Sequence, residues 1–172
     1  ELVGRTISDE LCYSLTGDNS HYGAPKNGWG LDRLSGGSSS GSAAAVCAGL
    51  VDFALGTDCG GSVRVPSSYC GLLGLRTTHG RVPTPGLLRF ARAFDCIGWF
   101  ARDADVFARV GRVLLPDARE SGTFKRVLIA ADAFEAVEAD IADALAPAID
   151  TIAAQADEIQ TISLADEGLA CW

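Results

Sequence analysis

Apolar positions in this chain come in short blocks and helical stripes, cut apart by polar stretches rich in Gly, Pro and Asn. Glu1 to Thr6 reads as a short strand and Asp9 to Leu15 as a short helix, followed by a polar surface loop from Gly17 to Leu34. The block from Ala43 to Leu55 divides at Gly49. Ala43–Ala48 is predicted as a helix, capped by Ser40 or Ser42 and closed by Gly49, and Leu50–Leu55 as a buried strand. Pro66 starts a helical turn to Cys70, because proline is tolerated at the first helical position, and Gly71–Thr77 returns as a strand. From Gly80 to Ala93 the breakers Pro83, Pro85 and Gly86 predict loop. Asp103 caps a helix through Val106 to Leu115, which Pro116 stops.

The end of the chain reads as a βαβ unit, over about 126–164. Arg126–Ala130 is its first strand. Phe134, Val137, Ile141 and Leu145 recur at helical spacing, with a kink or restart expected at Pro147, and Ile159–Leu164 is the second strand. Helices alternating with strands imply an α/β fold with a mixed β-sheet flanked by helices on both faces. At 172 residues the chain is long enough for one cored domain, read here as 1–172.

Composition narrows the function. The chain is 48% hydrophobic and 21% charged, with a formal charge of −8; its lysines are Lys26 and Lys125, and the arginines are scattered. No basic stripe is present, so a nucleic-acid partner is not expected. Cys12, Cys47, Cys59, Cys70, Cys96 and Cys171 form no C-x-x-C pair, and the two histidines are far apart in sequence. No metal site is expected, and the thiols read as reduced, in a cytoplasmic protein. No apolar run approaches the ~20 residues of a membrane span, so no membrane partner is expected. The chain has no Met, opens inside an apparent strand and stops at Trp172, which reads as a fragment of a longer protein.

Two glycine-serine loops carry the chemistry: Gly36-Gly37-Ser38-Ser39-Ser40-Gly41-Ser42 and Gly56-Thr57-Asp58-Cys59-Gly60-Gly61-Ser62-Val63-Arg64. Their layout can bring two serines together beside free backbone N–H groups, the parts needed to attack a carbonyl and hold the charge that results. Competing readings fit less well. A flexible linker does not run straight into an apolar helix and strand. A P-loop needs Lys where Ser42 stands. A hydrolase elbow needs a final Gly where Arg64 stands, and neither His21 nor His79 has a special tie to Ser62. Asp58 and Arg64 read as an ion pair that pins the second loop, worth only ~0–1 kcal/mol if exposed. Cys59 has no histidine placed to activate it and reads as a small spacer.

Gly36 through Val46, Gly49 through Asp58, Gly60 through Pro66 and Tyr69 through Leu75 together resemble the signature of the amidase signature family, with a core of about residues 35–81. The flanks Tyr22–Pro25 and Phe94–Asp103 are similar to the branch containing plant-type indole-3-acetamide hydrolases. The resemblance implies a partial amidase signature fold and a Ser–cis-Ser–Lys triad that needs no cofactor. Ser62 matches the nucleophile. Ser38 matches the bridging serine, after a cis Gly37–Ser38 bond. The N–H groups of Cys59, Gly60, Gly61 and Ser62 match an oxyanion hole, and Ser39 and Thr57 match supporting hydroxyls. The family's lysine lies upstream of the first loop, beyond Glu1 in this chain, and neither Lys26 nor Lys125 matches it. The chain alone is therefore expected to be nearly inactive. Cys59 stands where Thr or Ile is usual, and Arg76-Thr77 where Lys-Pro is common. The implied activity is hydrolysis of a small-molecule carboxamide to a carboxylate and ammonia through an acyl-enzyme; the oligomeric state is open and allows a homodimer. Two other implied readings are the amidase subunit of a tRNA-dependent amidotransferase and a non-catalytic binding module.

Overall fold

A computed structural model describes residues 1–118, 124–165 and Leu169. Helices and strands are interspersed along the chain, and the fold is α/β. The sequence reading took 1–172 as one domain; the structure gathers it into two compact units, Glu1–Ala118 and Arg119–Trp172. The physical reason is pairing: the strands of each unit bond only to one another among the described residues.

The first unit is built on a three-stranded antiparallel sheet in the order β1 (Phe53–Asp58), β3 (Cys96–Ala101), β2 (Leu73–Arg76). The central strand is the one the sequence reading did not anticipate. Its run Cys-Ile-Gly-Trp-Phe-Ala is buried at every position but Ile97, so it shows no alternation of polar and apolar residues. Packed on this sheet are α1 (Ser40–Cys47), α2 (Arg64–Tyr69) and α3 (Ala104–Leu114). Ala43, Val46, Val63, Cys70 and Phe100 form a fully buried cluster, with Val51, Ala54 and Leu72 around it. Trp99 anchors α3: its indole N–H donates to the Phe107 carbonyl at 3.1 Å, and the two rings lie 5.2 Å apart between centroids. Asp103 caps α3 as expected, its carboxylate accepting the N–H of Asp105 and Val106.

Several boundaries differ from the sequence reading. The strand expected at Leu50–Leu55 begins three residues later, at Phe53, because Gly49 to Asp52 complete the turn out of α1 and leave Leu50 exposed. Gly49 closes α1 with a φ of 72°, a conformation glycine adopts without strain. Gly56 to Asp58, read as loop, are the last strand residues, with Asp58 opposite Cys96. Glycine at 56 is a packing requirement, since a Cβ there would lie 2.7 Å from the Phe100 ring and 2.8 Å from Ser39 Oγ. Glu1–Thr6 forms no strand, and the helix expected at Asp9–Leu15 shrinks to a 3-10 turn, Glu10–Cys12. Ser40 lies inside α1 and its cap is Ser39, which makes no capping bond because its hydroxyl is used elsewhere.

In the second unit β4 (Phe124–Ala130) and β5 (Ala156–Ile162) pair in parallel, with Val127 opposite Ile159. The expected crossover helix is two helices, α4 (Ala131–Glu135) and α5 (Ala139–Ala153), and α5 runs through Pro147. Parallel and antiparallel pairing both occur, but in separate sheets: among the described residues no one sheet mixes the two, in place of the mixed sheet that the sequence predicts.

Candidate active site

The site is organised by a carboxylate at the end of β1. Asp58 is fully buried. Its Oδ1 accepts the Gly61 N–H at 2.9 Å and an Arg64 guanidinium N–H at 2.9 Å. Its Oδ2 accepts the main-chain N–H groups of Val63 and Arg64 at 3.1 and 3.2 Å and the Arg64 Nε–H at 3.1 Å. One side chain thus folds residues 58–64 around itself. Burial pushes its pKa up, but the Arg64 guanidinium and the Val63 and Arg64 N–H groups outweigh burial and hold it below the ordinary 3.8. The pair inferred from the sequence is therefore built on a buried carboxylate and a half-exposed arginine.

This clamp sorts the loop's donors. The Gly61 N–H, assigned to an oxyanion hole by the resemblance, is committed to Asp58. The N–H groups of Cys59, Gly60 and Ser62 make no hydrogen bond among the described residues. Those same three residues line one side of a cleft of about 250 Å³. Tyr13, Leu15 and Phe90 line the other side, with the Tyr13 and Phe90 rings 5.8 Å apart. The sequence reading missed these three. The sequence places Tyr13 and Leu15 in a helix and Phe90 in a loop; the available signal is large apolar side chains at positions with nothing local to bury them.

The first loop is stitched to the second. Ser39 N–H donates to the Ser62 carbonyl at 3.3 Å. Thr57 turns its N–H and C=O away from the sheet, and Ser39 Oγ engages both, accepting from Thr57 N and donating to Thr57 O at 3.2 Å each. The contact runs through the main chain of Thr57. Ser42 Oγ donates to the Leu55 carbonyl at 2.8 Å. The Gly37–Ser38 peptide bond is cis. Ser38 is buried, and its Oγ has no hydrogen-bond partner among the described residues, so no direct bond joins it to the Ser62 hydroxyl.

The remaining candidates lie apart from this arrangement. Burial, and next the Asp95 carboxylate, push the Cys59 thiol pKa up against the opposing pull of Arg76, which keeps it a thiol rather than a thiolate. His79 Nε2 lies 2.9 Å from the Arg92 carbonyl oxygen and His21 lies 3.3 Å from Glu10; neither lines the cleft. Lys26 is exposed in the polar loop, and Lys125 is an exposed residue of β4. Cys171 lies outside the described residues.

Comparison with known proteins places this geometry. A family model described as Amidase matches residues 2–147. Amidase 1 of Arabidopsis thaliana is 60% identical over 113 residues, which are 66% of this chain and 27% of that protein. Translocon at the outer membrane of chloroplasts 64 of Pisum sativum is 45% identical over 135 residues, 77% of this chain and 23% of that protein. The crystal structure of an amidase superposes with a TM-score of 0.81 at 29% identity, over 91% of this chain and 37% of that one. The chain spans about a quarter of the length of the curated relatives it matches.

Proposed function

The chain belongs to the amidase family, and from that premise we propose that it supplies the nucleophile and the oxyanion-binding loop of a carboxamide hydrolase. Ser62 attacks the amide carbon. As its oxygen forms the new C–O bond, its proton passes to Ser38, and the Ser38 proton passes to an amine base, the lysine that the resemblance implies. The carbonyl π pair moves onto oxygen and is held by the N–H groups of Cys59, Gly60 and Ser62. The amide nitrogen takes a proton and leaves as ammonia or an amine, and water hydrolyses the ester on Ser62 to a carboxylate. One observation carries this reading: the Asp58 clamp consumes the Gly61, Val63 and Arg64 N–H groups and leaves three donors free at the cleft beside Ser62.

The cleft also bears on the substrate. Tyr13, Leu15 and Phe90 give it an apolar wall, and among the described residues no charged side chain lines it. That favours a neutral organic carboxamide over glutamine, whose charged amino and carboxylate groups would meet no counter-charge there. The presence of both Ser38 and Ser62 favours hydrolysis over a non-catalytic binding role. The reading carries a cytoplasmic location and allows a homodimer, which fractionation and sedimentation would test.

The deciding experiment treats the protein that carries this chain with a fluorophosphonate and maps the labelled peptide. Ser62 is expected to carry the label, and Ser62→Ala is expected to abolish both labelling and amide turnover with the fold retained. Turnover that survives Ser62→Ala defeats the assignment.

A further inference from the structure

A second carboxylate sits beside the relay serine, and the mechanism above does not use it. Residues 6–9 run as a strap along the first loop and the start of α1. The Thr6 and Ser42 hydroxyls lie 2.8 Å apart, the Ile7 carbonyl accepts the Gly41 N–H at 3.1 Å, and the Asp9 N–H donates to the Ser38 carbonyl at 3.0 Å. The Asp9 side chain is buried at 3% exposure. Its Oδ2 accepts the Gly17 N–H at 3.1 Å and lies so close to Gly37 that any Cβ at that position would collide with it. Its Oδ1 is buried with no hydrogen-bond partner among the described residues, and so is Ser38 Oγ. Two orphaned polar atoms therefore belong to two side chains joined through the Asp9–Ser38 main-chain bond. An unpaired buried carboxylate oxygen is costly unless a donor or a cation compensates it.

We propose that Asp9 is a positioning residue for the relay, resting on the hydrolase reading: it fixes the Ser38 segment through its backbone, and its carboxylate offsets the positive charge that appears when the amine base takes the relayed proton. The proton count is unchanged by this role. Ser62 loses a proton, Ser38 passes one on and the base becomes an ammonium ion; none of these protons is transferred to Asp9. The logic is that of the carboxylate in a Ser-His-Asp triad, which stabilises the charged base without itself titrating.

Asp9→Asn separates this role from a structural one. The asparagine amide keeps an oxygen to accept the Gly17 N–H, so a purely structural Asp9 would be replaced with little effect. With a carboxamide that the wild-type protein turns over, Asp9→Asn is expected to lower kcat about 10–100-fold with KM within about twofold. In a Ser38→Ala background the same change is expected to have no further effect, since the charge acts on protons that pass through Ser38. Asp9→Glu, which keeps the charge, is expected to exceed Asp9→Asn in kcat even if both lose thermal stability. Wild-type kcat in Asp9→Asn, or equal kcat in the two variants, overturns the proposal while leaving the Ser62 assignment standing. A wild-type protein with no Ser62-dependent turnover defeats both.

Discussion

Asp58 and Asp132 use one device in two places. Each is a buried carboxylate at the edge of a strand or helix that gathers backbone N–H groups from a following turn. Asp58 gathers Gly61, Val63 and Arg64 within six residues of itself and adds the Arg64 guanidinium. Asp132, in the first turn of α4, gathers Leu164 and Ala165 at 2.7 and 3.0 Å and the Ser163 hydroxyl at 3.1 Å, across more than thirty residues. Asp132 closes the end of a parallel strand pair; Asp58 decides which donors stay free beside Ser62. The difference teaches that a clamp serves chemistry through what it leaves unpaired.

Removing the first clamp should have the larger effect. Asp58→Asn keeps the side-chain volume but loses the charge and half the acceptor capacity for five hydrogen bonds. The expected cost is about 2–4 kcal/mol in unfolding free energy, below the range for a fully buried pair because Arg64 is half exposed. Turnover should fall further than stability alone explains, by about 10²–10³, the magnitude of losing an oxyanion donor. Chemical denaturation alongside steady-state kinetics measures both. A variant with normal kcat would show that the free donors do not depend on the clamp.

Much of the first clamp was legible, and its consequence was not. The Asp58–Arg64 spacing announced an ion pair, and the glycine-serine string announced the two loops and the serines at 38 and 62. The commitment of the Gly61 N–H could not be read, because it depends on Asp58 being strand-terminal and fully buried, whereas the glycine-serine string from Gly56 on reads as loop. The central strand was missed for a related reason: Cys96–Ala101 is covered on both faces, and period-two reasoning finds only half-exposed strands. Tyr13 and Phe90 reach the cleft from segments without regular structure, where periodicity carries no signal. Asp132 was invisible for a third reason, since its partners are remote in sequence and no local pattern links residue 132 to residues 163–165.

Acid offers a graded version of the first mutation. The folded-state pKa of Asp58 is depressed below the ordinary 3.8, so its contribution to stability is fully present above about pH 4 to 5 and is lost as pH falls through 3.8 toward the lower folded value. Asp132 is shifted the same way, its burial outweighed by the Ala165 and Leu164 N–H groups and the Ser163 hydroxyl. Both clamps are therefore expected to hold at neutral pH and to weaken together below pH 4. Amide proton shifts of Gly61 and Val63, followed against those of Leu164 and Ala165 in an acid titration, test the comparison. Loss of the Gly61 signal near pH 6 would contradict it.

The smallest effect is expected from Asp132→Ala, and it is the sharpest test of the contrast. The substitution removes three acceptor contacts that hold the turn after β5 to α4, so local protection of β5 amides and the thermal midpoint should both fall. No residue of the cleft takes part in those contacts. Below the unfolding transition, kcat and KM should therefore stay within about twofold of wild type, because losing contacts that no cleft residue shares alters stability rather than transition-state binding. A destabilised but fully active Asp132→Ala, set against an Asp58→Asn that loses activity beyond its stability, would separate a carboxylate that holds a fold from one that shapes a site. Equal losses of kcat in the two variants would mean that the clamps differ only in position, and that the free donors at Cys59, Gly60 and Ser62 owe nothing particular to Asp58.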